Sequence, residues 1–231
     1  MQTLRKLLSD TNCRNKDELF QEIAKELMCN HIIQKGECQY EIVEIEFYYY
    51  SQEHQDVITY PREMEAGRWF FHPSGVDLTF ASKGDIRLKD GKIGNDAYFG
   101  GILIRGIQCK SNGEYIFGPL KCVDELWDNF DAFGTSEKEE YPILKRCDGI
   151  NECNLRRCER HVNIKKEELP NRVKGWASRA GLRWDEDAVN AYIKGLYNAK
   201  YRYFNLPTYE EATLAKIPSR IRPAKDTLSS C

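Results

Sequence analysis

The segment EIVEIEFYYY, residues 41 to 50, has the composition of a β-strand but carries two glutamates in its middle. It is dense in Val, Ile, Phe and Tyr and contains no Gly or Pro, which is typical of strands. Because side chains alternate across a strand, one predicted face is wholly apolar: Val43, Ile45, Phe47 and Tyr49. The other predicted face combines carboxylates with tyrosines: Ile42, Glu44, Glu46, Tyr48 and Tyr50. This second face is either exposed to solvent or part of a polar site, and the pattern alone leaves both interpretations open.

The segments around this strand predict an α+β fold. Residues 16 to 29 place apolar side chains at helical spacing, with Asn15 as an N-cap. Residues 38 to 120 contain further strand patterns separated by turns such as Pro73-Ser74-Gly75. An amphipathic helix must cover its apolar stripe. We therefore predict a curved, mainly antiparallel sheet with packed helices at the N- and C-terminal ends.

The chain is expected to form one domain with four segments. These are an N-terminal helical segment at 1–37, a β core at 38–120, a mixed helical segment at 121–206 and an irregular tail at 207–231. A final helix is predicted from 185 to 203, where apolar residues follow helical spacing.

Composition excludes several classes of protein. The chain has 231 residues, of which 41% are hydrophobic and 30% charged, an ordinary globular balance rather than a disordered one. No apolar run approaches the roughly 20 residues that span a bilayer, so we expect no membrane segment.

Nine cysteines, an odd number, and no secretory leader predict a reduced, cytoplasmic chain. A net charge of −2 means that nucleic-acid binding would require a local basic patch. The oligomeric state stays open.

The order of sequence blocks resembles that of a known enzyme family. A strand IVEIEFYY, a histidine-containing loop, the segments GRWFF and GVDLTF, and a strand GGILIRGI follow one another over roughly residues 40 to 107. This order resembles the alkyladenine (3-methyladenine) DNA glycosylase family. In that family a VETEAY-like strand carries the catalytic glutamate and a tyrosine, and a VLLRA-like strand carries an arginine. The resemblance implies Glu46 as the catalytic residue, Tyr48 and His54 in the base pocket, and Arg105 beside them.

A glycosylase of this kind would bind double-stranded DNA and hydrolyse the N-glycosidic bond of a damaged or modified base, with no cofactor. A carboxylate stabilises the positive charge that develops on the sugar and orients the attacking water. Tyr48 or Tyr50 would stack on the flipped base or fill the gap in the duplex. Arg68 and Arg105 would hold the flanking phosphates. His72, at a strand end beside a proline turn, is a further pocket candidate. Which base is accepted stays open.

A cysteine-rich segment raises the alternative of a zinc site. Four zinc-type ligands lie within 15 residues at the spacing C-x5-C-x4-C-x2-H: Cys147, Cys153, Cys158 and His161. The spacing matches none of the tight C-x2-C patterns, so we predict no bound metal. The neighbouring arginines form the most basic stretch of the chain: Arg146, Arg156, Arg157 and Arg160. They are either solvated surface or a nucleic-acid contact.

Two rival functions remain. Asp77 on one predicted strand, with Gln108 and Lys110 on another, resembles the loose Asp…(Glu/Gln)-x-Lys arrangement of metal-dependent nucleases. The second rival is a non-catalytic module that keeps the pocket in order to read a modified nucleic acid or a protein partner.

Overall fold

The computed structural model describes residues 2–10, 15–84, 86, 93–128, 141–147, 153–160, 162 and 164–205. The helices are α1 (Gln2–Ser9), α2 (Lys16–Asn30), α3 (Pro119–Leu126), α4 (Leu169–Arg179) and α5 (Glu186–Asn198). The strands are β1 (His31–Lys35), β2 (Cys38–Tyr50), β3 (Trp69–His72), β4 (Gly75–Thr79), β5 (Phe99–Cys109), β6 (Tyr115–Phe117), β7 (Ile143–Arg146), β8 (Leu155–Cys158) and β9 (Arg202–Asn205).

The described strands form one curled antiparallel sheet. Its main order is β3-β4-β5-β2-β1-β7, with β6 paired to β5, and with β9 paired to both β2 and β8. Every one of these pairings is antiparallel. The predicted α+β class with a curved antiparallel sheet is therefore confirmed. No helix in the described part of the chain is long and apolar enough to cross a bilayer.

Helix α2 covers the apolar face of the sheet. Asn15 caps it by accepting a hydrogen bond from the amide of Asp17, as the N-cap pattern predicts. The Phe20 side chain is fully buried and stacks on Phe47 of β2, with the ring centroids 4.5 Å apart. Phe80 closes the same cluster from the end of β4. This packing leaves the opposite face of the sheet for other contacts.

A β-bulge near the start of β2 changes which side chains share a face. The pairing with β5 shifts register between Ile42 and Glu44, so Val43 is an extra residue in the strand. Ile42 consequently points into the main core, whereas Val43 packs against Phe204 in a separate cluster. The predicted faces are wrong for Ile42 and Val43 because strict alternation does not hold across a bulge. Beyond it the alternation is as predicted.

The C-terminal half contributes more strand than the sequence pattern predicts. The segment expected to be mixed helical supplies β7, β8 and β9, and the N-terminal segment expected to be helical ends in β1. These strands have four or five residues each and are stabilised by pairing rather than by their own composition. The last helix ends at Asn198, and the chain then enters β9. The predicted irregular tail lies outside the described residues.

A buried ion pair joins this C-terminal half to the loop after β2. The Arg160 guanidinium donates two hydrogen bonds to Asp56, at 3.0 and 2.7 Å. Asp56 also accepts hydrogen bonds from the hydroxyls of Thr59 and Tyr192. Burial favours the neutral acid, but the adjacent Arg160 charge outweighs it and lowers the pKa of Asp56. The pair is a buried link between segments 104 residues apart.

Two histidines, His31 and His54, should make the stability of the fold depend on pH. Burial disfavours the imidazolium form and is the main reason that the pKa values of His31 and His54 are lowered from 6.5. Below about pH 6.5 the unfolded chain therefore binds more protons than the folded one. We expect the free energy of unfolding to be fully retained above that pH. Below it, stability should fall by up to about 1.4 kcal/mol per pH unit for each histidine.

Urea unfolding at several pH values across this window measures the effect. A His54→Gln variant has one such group fewer and should show a shallower decline on acidification. A wild-type stability that stays constant as the pH falls from about 7 to about 5.5 would contradict the prediction.

Candidate functional site

A cavity of about 740 Å³ lies on the sheet face opposite α2. Tyr48 of β2 and Arg105 of β5 form part of its floor, and the turn after β3, from His72 to Ser74, forms one side. The start of α3 and the inner surface of α4 close it from above through residues such as Lys121 and Trp176. The polar face of β2 therefore faces neither bulk solvent nor the main core.

One cross-strand row runs beneath this cavity. Glu46 of β2 pairs with Leu103 of β5 on one side and with Arg202 of β9 on the other. Leu103 in turn pairs with Asp77 of β4. Directly opposed residues place their side chains on the same face of a sheet. The row thus presents a carboxylate, an apolar side chain, a second carboxylate and an arginine on the cavity side, in the order Asp77, Leu103, Glu46 and Arg202.

Glu46 is the most enclosed member of the row, with 0% of its surface exposed. The Tyr48 hydroxyl donates a hydrogen bond to its Oε1 at 2.8 Å. Arg105 Nη1 lies 3.0 Å from Oε2, close enough for an ion pair but without hydrogen-bond geometry. Within the described residues, Oε2 has no hydrogen-bond donor. This oxygen is itself buried, behind the floor residues Tyr48 and Arg105, and has no donor to satisfy it.

Tyr48 is held in its donating form. Burial raises its pKa well above the ordinary value of 10.0, and the negative charge of Glu46 raises it further. The ring of Tyr48 stacks against the Arg160 guanidinium, whose Cζ lies 4.9 Å from the ring centroid. The same carbon lies 4.8 Å from the centroid of the Tyr201 ring. The buried Arg160–Asp56 pair thereby fixes the tyrosine that orients Glu46.

Glu44 is buried and paired with arginines rather than exposed to solvent. It is 2% exposed, and Arg105 Nε and Arg202 Nε each donate a hydrogen bond to its Oε1 at 2.8 Å. Burial opposes the charge on Arg105, but the charges of Glu46 and Glu44 outweigh it and raise the pKa of Arg105. Arg105 thus bridges Glu44 and Glu46. This shared arginine explains why one face of the strand carries two carboxylates.

A second cluster of polar residues, made of Asp77, Arg62 and His72, lines the far wall of the cavity. Asp77 is 1% exposed, and Arg62 Nη1 donates a hydrogen bond to its Oδ2. His72 Nε2 lies 3.0 Å from Oδ1, and the Ser74 amide donates to His72 Nδ1 at 3.3 Å. The imidazole therefore accepts at Nδ1 and donates from Nε2 to Asp77.

Gly101 of β5 makes room for this group. A Cβ at that position would lie 2.5 Å from Arg62 Nη1 and 2.7 Å from the Asp77 Cβ. Any other residue would therefore displace the ion pair. The glycine in the predicted strand GGILIRGI is explained by this close approach rather than by a turn.

The predicted site residues divide into two sets. Tyr48, Arg105 and His72 line the cavity, and Glu46 is buried behind that lining in contact with Tyr48 and Arg105. Asp77 joins them, although not in the nuclease arrangement.

Three predicted residues lie elsewhere. Tyr50 is 1% exposed and stacks on Phe99, because helices α4 and α5 and the segment between them cover that end of the strand face. The loop after β2 turns back through paired hydrogen bonds between Ser51 and His54, so the His54 ring packs beside Phe20. Arg68 is on the surface and forms an ion pair with Glu65. The structure thus places Tyr50 and His54 in packing positions and Arg68 on the surface.

The metal-site alternatives do not gain support from the geometry. Cys153 is joined to Cys29 by a disulfide, and this pairing separates it from the proposed zinc ligands. His161 lies outside the described residues. Within the part of the chain that the structure describes, no group of three or more His, Cys, Asp or Glu side chains is arranged to hold a metal.

The nuclease residues are also far apart. Asp77 lies opposite Leu103, five residues before Gln108 on β5. At about 3.4 Å per residue this separates them by roughly 17 Å along the strand. Lys110 forms an ion pair with Glu41 at 3.1 Å. Asp77, Gln108 and Lys110 therefore do not converge around one magnesium ion.

The cavity lining is strongly basic although the chain as a whole has a charge of −2. Among the described lining residues six are basic: Arg62, Arg105, Lys121, Arg172, Arg179 and Arg202. Asp77 is the one acidic residue in that described lining. Glu44 and Glu46 are buried behind the lining. A concave surface of this charge attracts anions such as nucleic-acid phosphates.

Comparisons with known proteins give one distant relative. An uncharacterized protein of Acanthamoeba polyphaga mimivirus is 27% identical over 129 residues, which cover 50% of this chain and 59% of the viral protein. The chain thus spans less than two thirds of that relative's length. No family model and no solved structure matches the chain.

Proposed function

We propose that this chain is a DNA glycosylase that hydrolyses the N-glycosidic bond of a damaged or modified base flipped out of the duplex into the cavity. The observation that carries the proposal is the environment of Glu46, a buried carboxylate held by Tyr48 and Arg105 directly beneath a basic cavity. The resemblance to the alkyladenine DNA glycosylase family places its catalytic glutamate, tyrosine and arginine at these same three positions.

The chemistry follows from the geometry of that carboxylate. Breaking the glycosidic bond develops positive charge on the sugar, which a fixed negative charge stabilises. Tyr48 donates to Oε1, so Oε2, which is buried beside Arg105, is the oxygen that would orient and deprotonate an attacking water that enters from the cavity. Because Arg105 and Tyr48 hold the side chain from two sides, little reorganisation is needed during the reaction. Base flipping brings the bond within reach of a group this deeply enclosed.

The basic residues at the rim supply the contact with the DNA backbone. Lys121 is exposed at the start of α3, and the Arg172 side chain on α4 is 57% exposed. Both line the cavity, on two different helices above the floor. Phosphates on either side of a flipped nucleotide would be held by such positively charged side chains.

This arrangement predicts a strong salt dependence of DNA binding. Each phosphate contact contributes a slope of about −0.9 to the plot of log K against log salt concentration. We expect Lys121→Ala and Arg172→Ala each to weaken binding and to reduce the magnitude of the slope by about 1. Fluorescence anisotropy with a labelled duplex at several salt concentrations measures both quantities. Arg68→Ala, a surface arginine away from the cavity, is the matched control, and an equal change for that variant would contradict the assignment.

A non-catalytic reader is the second candidate. It is favoured because Glu44 and Glu46 are both paired with arginines. Such pairing can serve a purely structural role. A reader would bind modified duplexes through the same cavity and release no base.

One experiment separates these candidates. Base release is measured under single-turnover conditions over a panel of duplexes with alkylated, deaminated and bulky-modified bases, with and without a chelator. A glycosylase releases at least one of these bases equally well in chelator. Strand cleavage that requires added Mg²⁺ would instead indicate a nuclease, and selective binding without release would indicate a reader.

A further inference from the structure

Another cavity, of about 280 Å³, lies between α2 and the strands β8 and β9. Its lining includes Lys25 of α2, Arg156 and Arg157 of β8, and Cys153, which is joined by a disulfide to Cys29 near the end of α2. We call this cavity the disulfide groove. It shares no lining residue with the basic cavity at Tyr48 and Arg105, so it is a separate site.

The two sulfurs of this disulfide differ in their access to solvent. Cys153 is exposed and lines the disulfide groove, whereas Cys29 is 7% exposed and belongs to the buried side of α2. Thiol–disulfide exchange begins when a thiolate reaches one of the two sulfurs, and access decides which sulfur it attacks. Cys153 is therefore the sulfur that an external thiolate attacks, and Cys29 is the leaving group.

The disulfide groove carries positive charge beside the sulfur that is attacked. Lys25, Arg156 and Arg157 line it, and none of its described lining residues is acidic. Lys25 and Arg157 are exposed, and neither forms an ion pair with a described residue. A concave surface of one charge raises the local concentration of ligands of the opposite charge. Fixed positive charges also stabilise the negative charge that spreads over three sulfurs during the exchange. The groove therefore favours a negatively charged thiol over a neutral one.

We propose that the disulfide groove is a thiol-exchange site that takes an anionic low-molecular-weight thiol, of the class that includes glutathione, and forms a mixed disulfide at Cys153. The sulfur of the ligand thiolate bonds to the Cys153 sulfur, the Cys29–Cys153 bond breaks, and Cys29 leaves as a thiolate that takes a proton from water. A second ligand thiolate then attacks the ligand sulfur of the mixed disulfide and releases Cys153 as a thiolate. Two ligand thiols are thereby oxidised to one disulfide, and the disulfide of the protein is reduced.

The exchange would act on how α2 is attached to the sheet. Cys153 lies two residues before β8, and β8 pairs with β9. Arg202 of β9 donates a hydrogen bond to Glu44. Reduction removes the covalent link between α2 and this strand pair and leaves the hydrogen bonds of the sheet in place. The inference does not depend on the proposed function, because the base-release cavity contains neither cysteine.

Glutathione and its glycine monoethyl ester test the charge preference. They carry the same thiol, and the ester has one negative charge fewer. The full-length protein is first alkylated, which should leave Cys29 and Cys153 unmodified, and is then treated with each thiol at low ionic strength. Mass spectrometry of peptides follows the mixed disulfide at Cys153 and the release of Cys29. We expect glutathione to react at least about threefold faster, and this difference to vanish near 1 M salt, where charges are screened within about 3 Å.

Three results of this measurement would overturn the inference. They are equal rates for the two thiols at low ionic strength, a mixed disulfide that forms at Cys29, and initial alkylation of Cys29 or Cys153.

Variants assign the preference to the cations of the disulfide groove. Lys25→Gln, at an exposed helix position, should reduce the preference for glutathione, and Lys25→Gln combined with Arg157→Gln should bring it to about one. Lys174→Gln removes an exposed cation of α4 outside the groove and should keep the wild-type preference. Melting curves establish that the variants are folded. An unchanged preference in the double variant, or an equal loss in Lys174→Gln, would overturn the role of the groove.

Discussion

Replacement of Glu46 by glutamine is expected to lower the single-turnover rate of base release by on the order of 10²-fold or more. Glutamine preserves the shape of the side chain and an acceptor for the Tyr48 hydroxyl, but it removes the negative charge beneath the cavity. The fold should persist, because Arg105 keeps its hydrogen bond to Glu44. The measurement is the rate constant for base release from whichever panel duplex the wild type cleaves, with a melting curve for each protein.

The matched control lies on the same strand. Glu41 is partly exposed and forms an ion pair with Lys110 at 3.1 Å, away from the cavity, so Glu41→Gln should leave the rate unchanged. Glu44→Gln weakens the acceptor shared by Arg105 and Arg202 and is expected to act mainly on stability. A Glu46→Gln enzyme as fast as the wild type would refute the catalytic role of this carboxylate.

The largest expected effect on stability belongs to Asp56. Asp56→Asn leaves Arg160, whose side chain is 2% exposed, without its compensating charge. Breaking a buried pair by removing one partner typically costs about 3–5 kcal/mol. The hydrogen bond from Tyr192 is also weakened, which loosens α5 from the loop after β2. Urea unfolding of the variant and the wild type at neutral pH measures the difference in the free energy of unfolding.

A double variant distinguishes a lost charge partner from lost packing. In Asp56→Leu combined with Arg160→Met both charges are absent, so much of the loss in Asp56→Asn should be recovered. A cost below about 1 kcal/mol for Asp56→Asn would show that the pair is solvated rather than buried.

Part of the site could be predicted from one strand and part could not. The composition of β2 predicts a strand, and alternation places Glu46 and Tyr48 on one face, which the structure confirms. The bulge at Val43 has no signature in the sequence, so strict alternation predicts the wrong faces for Ile42 and Val43. Bulges depend on the partner strand as well as on local composition.

The partners of these residues come from distant parts of the chain. Arg202 reaches Glu44 across 158 residues, and Arg160 reaches Asp56 across 104. Local patterns carry no information on such contacts, so the sequence places Arg160 only in a basic stretch that is either solvated surface or a nucleic-acid contact. Asp77, a carboxylate inside an apolar strand, and His72, beside a proline turn, are the local signs of the second polar group. Arg62, the partner of Asp77 15 residues away in a loop, had none.

The position of Glu46 within the sheet also determines how the site can move. Its strand is paired along both edges at that residue, with Leu103 and with Arg202. Backbone bonds open most readily where they face solvent or end an element, so the main chain at Glu46 belongs to the slowest-opening part of the molecule. Entry and exit of a nucleotide would then depend on the turn from His72 to Ser74 and on the helices above the cavity, while the carboxylate stays stationary.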